Sequence, residues 1–528
     1  MATFGEALLA GLHDRGTRTV FGVPGGGSSL ELIEAAGRLG MEFVLTRGET
    51  AACLMAAVTG QLTGSPGAAL VGVGPGAAAA MNGVAYASLE RAPMVLFADR
   101  IVPTPARPTW HQVYDQPASF APVTKAARWV IVEMGTATVA ELLDLPLAHP
   151  QGPVALDLSA ADAGKPYDPI PQPPERGTGI QMPAEARAML AAARRPVVIA
   201  GLQARRHQQA VRAFAAAIDA ACLTTFKAKG TIDDDDPALV GHFTGGTAEA
   251  ALLDAADLIV LVGHDPIEMI PAAWSWTAPV LALSEWDWSA TGGVPREAVM
   301  VTGDLGASLA ALQPAGPQEG WSGRATQFKA AWRQRVRYPD VPGISPDSVV
   351  DLARTLAPAD ARLTVDAGAH MFPALARWHA HEGCGVLKSN GLSTMGYALP
   401  AAIASQVVEP ARTAVAITGD GGMMMSLGEL ATAAARGQDI VLIVLNDALL
   451  TLIDVKQQKQ QRRRAGVELG LQDFAAAARA FGWTAWTVDR ADGLEPAMTA
   501  AFAATGPRLL DVRIDPSGYG DLLDAWRG

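Results

Sequence analysis

Apolar and polar positions along the chain follow two alternating periods. Apolar runs of strand length are separated by stretches in which apolar residues recur every three or four positions, as on one face of a helix. In the first third this predicts a helix over Glu6 to Arg15, a strand over Thr19 to Val23, a helix over Ser29 to Leu39 and a strand over Glu42 to Thr46. A small-residue helix over Thr50 to Gly60 and strands over Ala68 to Val73 and Pro93 to Ala98 follow. Such alternation predicts a doubly wound parallel sheet with helices on both faces. Pro166 to Pro183 is proline-rich and aperiodic, as a linker should be. Alternation resumes with strands at Pro196 to Gly201, Leu223 to Thr224, Leu258 to Val262 and Val280 to Leu283, and Gln313 to Gly323 reads as a second linker. A third set comprises a helix near Ser345 to Leu356 and strands at Leu363 to Asp366, Ala414 to Ile417, Ile440 to Leu445 and Arg508 to Ile514. The expected fold class is α/β, with three doubly wound parallel-sheet domains at 1–165, 184–315 and 340–528.

Glycine-rich turns punctuate the strand ends, nearly all of them in the first and third domains. The densest stretch is Thr413 to Ile453, where one apolar run ends in Gly419-Asp420-Gly421-Gly422 and a helical pattern spans Ser426 to Arg436. A second apolar run then ends in Asn446-Asp447. A right-handed strand–helix–strand crossover would open both carboxyl ends on one edge of the sheet, bringing Asp420 and Asp447 to one ligand. Two carboxylates beside free N–H groups at a helix start suit a hard cation held on a phosphorylated ligand. Gly-Asp-Gly after a strand also serves as a plain turn; the second acid at the next strand end favours the ligand site.

Composition narrows the class. A chain of 528 residues, 49% hydrophobic and 18% charged, is a multidomain globular protein rather than a disordered or fibrous one. A net charge of −12 leaves no basic surplus for nucleic acid or a membrane surface. The basic run Lys456 to Arg464 reads as a solvated helix face ahead of a phosphate patch. Cys53, Cys222 and Cys384 lack metal-ligand spacing and suit reduced thiols. The first sixteen residues form an amphipathic helix rather than a signal peptide, and no uncharged apolar run reaches about 18 residues, so a soluble cytoplasmic protein is expected.

The motifs, in order, resemble the thiamine-diphosphate enzymes of the acetolactate synthase and 2-oxoacid decarboxylase family, including benzoylformate decarboxylase-like members. Phe21 to Gly26 resembles that family's opening loop, Arg47-Gly48-Glu49 its strand-end glutamate, and Gly74-Pro75-Gly76 its next loop. Gln112, followed by Pro122 to Lys125, resembles an active-site glutamine and its sequel. Gly391 to Gly396 resembles Gly-Leu-Gly-Thr-Met-Gly, and Gly419-Asp420-Gly421 through Asn446-Asp447 the diphosphate and metal signature. The resemblance implies that the first domain holds the aminopyrimidine and the third the diphosphate, across a subunit interface, in a homodimer or dimer of dimers. It assigns Mg²⁺ to Asp420, Asp447 and the Leu449 carbonyl. Cofactor contacts fall on Pro24, Gly25, Gly26, Gly74, Asn82, Gly368, His370, Ser393, Met395, Gly419, Asp420, Gly421, Gly422, Asp447, Leu449 and Leu450. His370 has a capping or packing role as its alternative.

Carried over residue by residue, Glu49 shares a proton with the pyrimidine ring. Met395 supports the bent cofactor, the Ser393 carbonyl accepts from its amino group, and Gln112 orients the acceptor. His111, beside Gln112, is either a proton shuttle or a surface or core histidine. The resemblance implies decarboxylation of a 2-oxo acid followed by protonation or by transfer to a second carbonyl. Adjacent histidines of the decarboxylase type are missing near the first-domain loops, and Ile453 stands where some decarboxylases carry glutamate. Both features favour a carboligase over a non-ligating decarboxylase or a 2-hydroxyacyl thioester lyase. Three departures stand out. Asp447 replaces the usual Asn, Ser393 replaces a Gly whose backbone role a serine should tolerate, and Met269 in Gly263 to Met269 replaces the arginine that clamps an acceptor carboxylate and helps hold flavin. The last counts against FAD. Leu449, Leu450, Leu452 and Ile453 suggest a more apolar pocket than pyruvate requires.

Overall fold

A computed structural model describes residues 1–102, 111–175, 177–269, 273–291, 297–312 and 320–527. Three sheets carry the described strands. The first contains β1 (Thr19–Val23), β2 (Glu42–Leu45), β3 (Gly67–Val71), β4 (Met94–Arg100), β5 (Ala126–Val130) and β6 (Pro153–Ser159), in the order β2-β1-β3-β4-β6-β5. Every pair in it is parallel. β3 and β6 are buried along their whole length, as strands covered by helices on both faces must be.

The second sheet contains β7 (Ile180–Gln181), β8 (Pro196–Ala200), β9 (Ala221–Thr224), β10 (Leu239–His242), β11 (Leu258–Val262), β12 (Val280–Ser284) and β13 (Val299–Gly303). Its order is β10-β9-β8-β11-β12-β13-β7, and the two-residue β7 runs antiparallel at one edge. The third contains β14 (Arg362–Val365), β15 (Val386–Lys388), β16 (Ala414–Gly419), β17 (Ile440–Asn446), β18 (Thr484–Val488) and β19 (Arg508–Arg513), ordered β15-β14-β16-β17-β19-β18. β16 and β17 are therefore neighbours in the sheet, as the crossover argument requires. The segment 313–319 of the second expected linker lies outside the described residues.

Two compact units arise from these sheets. One comprises Met1–Glu175 with Leu392–Ala411 and Ser426–Ile440; the other comprises Arg176–Gly391, Arg412–Met425 and Val441–Gly528. In the first, a core built from Phe4, Leu8, Leu12, Leu32, Phe97 and Leu156 fills one face of the sheet. The helix Ala398–Val408 packs on the helix Glu49–Thr63, and Tyr86 and Tyr397 lie 5.1 Å apart by ring centroid. In the second unit one core runs through both sheets, from Ile259 and Leu261 to Leu363, Val441 and Ile443. Among the described residues no helix is long and apolar enough to cross a membrane.

The expected helix over Ser426 to Arg436 is Glu429–Ala435, and a separate helix, Asp420–Ser426, precedes it. Helix begins directly at the strand-end acid, and the break falls at Gly428, where an added Cβ would stand 3.3 Å from the Arg47 Cβ. β5, β6, β7, β10, β13, β15 and β18 escape the pattern reading, β7 lying inside the expected linker Pro166 to Pro183. β18 has one buried residue in five, so its apolar signal is weak.

Candidate functional site

In the first unit, β2 ends at Leu45 and the helix Glu49–Thr63 starts on Glu49 itself, with Gly48 extended at the cap. Glu49 is half-buried, and its Oε1 lies 3.5 Å from where a Cβ on Gly76 would stand. Gly76 lies in the first turn of the helix Pro75–Leu89, so the two helix starts converge where Gly76 faces the carboxylate. The approach to Glu49 is tied down by Glu429, whose Oε1 accepts from the Arg47 N–H at 3.0 Å and whose Oε2 accepts from Thr432 Oγ1 at 2.7 Å. Burial pushes the Glu429 carboxyl above its usual range. One turn into the helix, burial and then the charge of Glu49 push the Cys53 thiol up, leaving a protonated, unreactive sulfur.

Gly74 adopts φ +65°, and a Cβ there would stand 2.4 Å from the Gln112 carbonyl, so only glycine fits this close approach. Gln112 itself has φ +60° and is exposed, as is His111. The residue that organises this corner is Gln116. Its Oε1 accepts from the Gly74 N–H at 2.9 Å, and its Nε2 donates to Asp157 Oδ2 at 2.9 Å and to the Asp99 carbonyl at 3.2 Å. Asp99 at the end of β4 gathers the opening loop, accepting from the N–H groups of Gly27 and Ser29 and from Ser28 Oγ. It packs so tightly that a Cβ on Gly25 would stand 2.2 Å from Asp99 Oδ2. Sequence reasoning missed both Gln116 and Asp99. Asp115, capping a helix whose first turn holds Pro117, was an available signal for the first, and an acid closing an apolar strand for the second.

Asn82 meets the Gly391 to Gly396 motif directly, since its Nδ2 donates to Thr394 Oγ1 at 2.9 Å. Ser393 takes φ +52°. This is a left-handed conformation that favours glycine, so serine carries backbone strain at a position where tolerance was expected. Met395 is half-buried in the same loop.

In the second unit, the ends of β14, β16 and β17 build the other group of expected residues. Asp420 is 3% exposed; its Oδ1 accepts from the Gly421 N–H at 2.8 Å, while its Oδ2 has no hydrogen-bond partner. Burial and then the neighbouring Asp447 push the Asp420 carboxyl up to about 6. Asp447 is raised too, chiefly by burial, although its Oδ1 accepts from the Leu449 N–H at 3.1 Å and its Oδ2 from Thr451 Oγ1. Ala448 between them has φ +61°. Two strained-up acids with an orphaned buried oxygen have the chemistry of a divalent-cation site, which would relieve both the repulsion and the lost hydration.

His370 is buried beside this corner. It makes no capping hydrogen bond, and a Cβ on Gly368 or Gly419 would come within 3.0 Å of its ring. Burial holds it neutral, down to about 4, with Nε2 unpartnered. Gly422 is pressed against Asp366 and Thr418, where a Cβ would meet Asp366 Oδ2 at 2.5 Å. Leu450 donates its N–H to the Val467 carbonyl at 2.8 Å, fixing the loop after Asp447. The helix Thr451–Lys459 ends inside the expected basic helix face, so Lys456 to Lys459 lie on it while Arg462 to Arg464 fall beyond it; Arg464 pairs with Asp454 at 2.6 Å and Lys459 with Asp524.

The segment Gly263 to Met269 is a tight turn. The buried Glu268 side chain accepts from the N–H groups of Leu202 and Asp265 and from Thr225 Oγ1, and burial raises its carboxyl to about 7. It is thus committed to holding the ends of β8 and β11.

Three thiamine pyrophosphate enzyme models match the chain: the N-terminal TPP binding domain over residues 2–116, the central domain over 184–312 and the C-terminal TPP binding domain over 366–512. The catabolic acetolactate synthase of Raoultella terrigena is 29% identical across 97% of this chain and 94% of its own length. An acetolactate synthase large subunit of Parasynechococcus marenigrum is 30% identical, covering 96% of this chain and 87% of that protein. A probable 2-ketoarginine decarboxylase of Pseudomonas aeruginosa is 28% identical over 97% of the chain and 94% of its own length. With all three matched segments in order, and each glycine-rich corner built where that order puts it, the chain belongs to the thiamine pyrophosphate enzyme family.

Proposed function

We propose that the protein is a thiamine-diphosphate- and Mg²⁺-dependent carboligase that decarboxylates a 2-oxo acid and transfers the resulting acyl unit to a second carbonyl compound. The observation that carries this reading is the buried, unpartnered Asp420 Oδ2 beside Asp447 at adjacent strand ends. Asp420, Asp447 and the Leu449 carbonyl would hold the cation, and the N–H groups around Gly421 would face the diphosphate. Thiamine diphosphate, when bound, supplies the electron sink that makes loss of CO₂ from a 2-oxo acid feasible. Glu49 would hold and return a proton at the pyrimidine nitrogen, from a helix start faced by Gly76. Met395 and the Ser393 carbonyl support and orient the ring, and Gln112 orients the acceptor.

Ligation is favoured over simple protonation because Ile453, 43% exposed on the helix after the metal ligands, offers no proton where a glutamate would. The flanking Leu449, Leu450 and Leu452 suit a donor with an apolar tail. Met269 offers no guanidinium to flavin or to an acceptor carboxylate, so turnover is expected without FAD. The working assembly is a cytoplasmic homodimer or dimer of dimers.

Incubation with thiamine diphosphate, Mg²⁺ and a panel of 2-oxo acids, with products followed by mass spectrometry, tests the reading. A 2-hydroxyketone product is expected, and Glu49→Gln should abolish it. Free aldehyde alone would make the protein a non-ligating decarboxylase, the reading favoured by its 2-ketoarginine decarboxylase relative. Turnover that survives Glu49→Gln would overturn the proton-transfer assignment.

A further inference from the structure

The geometry points to a second cation site, unrelated to the Asp420 corner, in which Asp233, Asp235 and His381 bind one divalent transition-metal ion of the Zn²⁺ type. The two segments that carry these residues are 148 positions apart yet closely apposed. Gly230 makes this possible: at φ +87°, a Cβ on it would stand 2.1 Å from the Glu382 carbonyl.

The middle residues of each segment pair with one another. The Asp234 N–H donates to the Ala380 carbonyl at 3.1 Å, the Ala380 N–H donates to Asp234 Oδ2 at 2.8 Å, and the buried Lys229 closes on Asp234 at 2.6 Å. Their flanking residues, Asp233 and Asp235 on one segment and His379 and His381 on the other, come together at the surface. His381 Nδ1 lies 3.0 Å from Asp233 Oδ1 and 3.9 Å from Asp235 Oδ2, and the three donor atoms all fall within 4.8 Å of one another. A tetrahedral zinc with bonds of about 2.1 Å needs donors about 3.4 Å apart. The observed separations bracket that value.

His379 positions one ligand. Its Nε2 faces the Arg333 guanidinium at 3.4 Å, and a guanidinium only donates, so Nδ1 carries the proton toward Asp235 Oδ1 at 2.8 Å. That leaves Asp235 Oδ2 turned to His381. The cations nearby are engaged elsewhere. Arg212 donates to the carbonyls of Gly230, Thr231 and His381, and Lys329 to those of Asp234 and Asp236. One imidazole with two carboxylates selects a borderline-soft ion over Mg²⁺ or Ca²⁺. Asp233 and His381 are half-buried and Asp235 is exposed, so water would complete the coordination. The ion would clip the loop after Gly230 to the segment leading into β15.

Calorimetry of ZnCl₂ into metal-stripped, full-length protein tests the site, with excess Mg²⁺ present to occupy Asp420 and Asp447. Co²⁺ absorption gives a second readout that reports imidazole ligation. One Zn²⁺ per chain is expected. His381→Gln and Asp235→Asn should each weaken binding at least about tenfold and remove the Co²⁺ visible band, and His379→Ala should weaken it about tenfold without removing the band. Asp420→Asn should leave it unchanged. The near-isosteric variants keep the fold, which circular dichroism in EDTA checks. Saturable Zn²⁺ binding that is the same in His381→Gln and Asp235→Asn as in the wild type, or no saturable binding at all, would overturn the assignment.

Discussion

Asp157 is a buried acid whose cost to the fold should be switchable with pH. It sits on β6 at 2% exposure, with Oδ2 accepting from Gln116 and Oδ1 without a partner. Burial raises its carboxyl to about 7, and the Gln116 hydrogen bond only partly offsets this. The gap from the ordinary 3.8 is about three pH units, equivalent to about 4 kcal/mol. The folded protein therefore holds this proton more tightly than the unfolded chain does. The associated stability is intact below about pH 4, falls as pH climbs, and is lost once pH passes about 7.

Asp157→Asn removes the charge and leaves an amide oxygen to accept from Gln116. The variant should be more stable than the wild type by up to about 4 kcal/mol at about pH 8 and indistinguishable from it near pH 4. Urea unfolding followed by tryptophan fluorescence, run on both proteins across that range, measures the difference at each pH. An advantage that does not change with pH, or no advantage at about pH 8, would show that Asp157 is not held protonated by burial.

Asp447→Asn removes one charge beside Asp420. The Mg²⁺ concentration for half-maximal activity should rise about tenfold, read from titrations of EDTA-treated enzyme. Ala448, at φ +61° between Asp447 and Leu449, should accept glycine with little change in stability. Ala448→Val should cost about 1–2 kcal/mol in thermal unfolding and weaken Mg²⁺ activation, because a branched side chain resists the left-handed conformation.

The corners holding Glu49 and Asp420 were legible because buried parallel strands read as continuous apolar runs and glycines mark where they end. The same logic carried β1 to β4 and β14, β16, β17 and β19. It failed where pattern and burial part company. β5 places Arg128 and Trp129 outward at a sheet edge, so its apolar run is broken. Residues whose meaning depends on a partner far along the chain were silent. Asp99 acts on the Gly27 loop 72 positions away, and Asp233 faces His381 with no spacing motif to announce it. The strain at Ser393 was equally hidden, since a residue's name does not disclose its φ.

The Glu429 carboxylate that holds the Arg47 N–H, and the helix Ala398–Val408 packed on the helix that begins with Glu49, set an order of events during synthesis. Met1–Glu175 leaves the ribosome first, but its compact unit lacks two pieces until Ser426–Ile440 has emerged. At about 10 residues per second, that wait lasts roughly half a minute. Throughout it, the apolar surface that Ala398–Val408 will cover faces water. A nascent chain stalled before residue 392 should thus present a sticky, alanine-rich helix to chaperones, and the surroundings of Glu49 are completed only when the last third of the protein arrives.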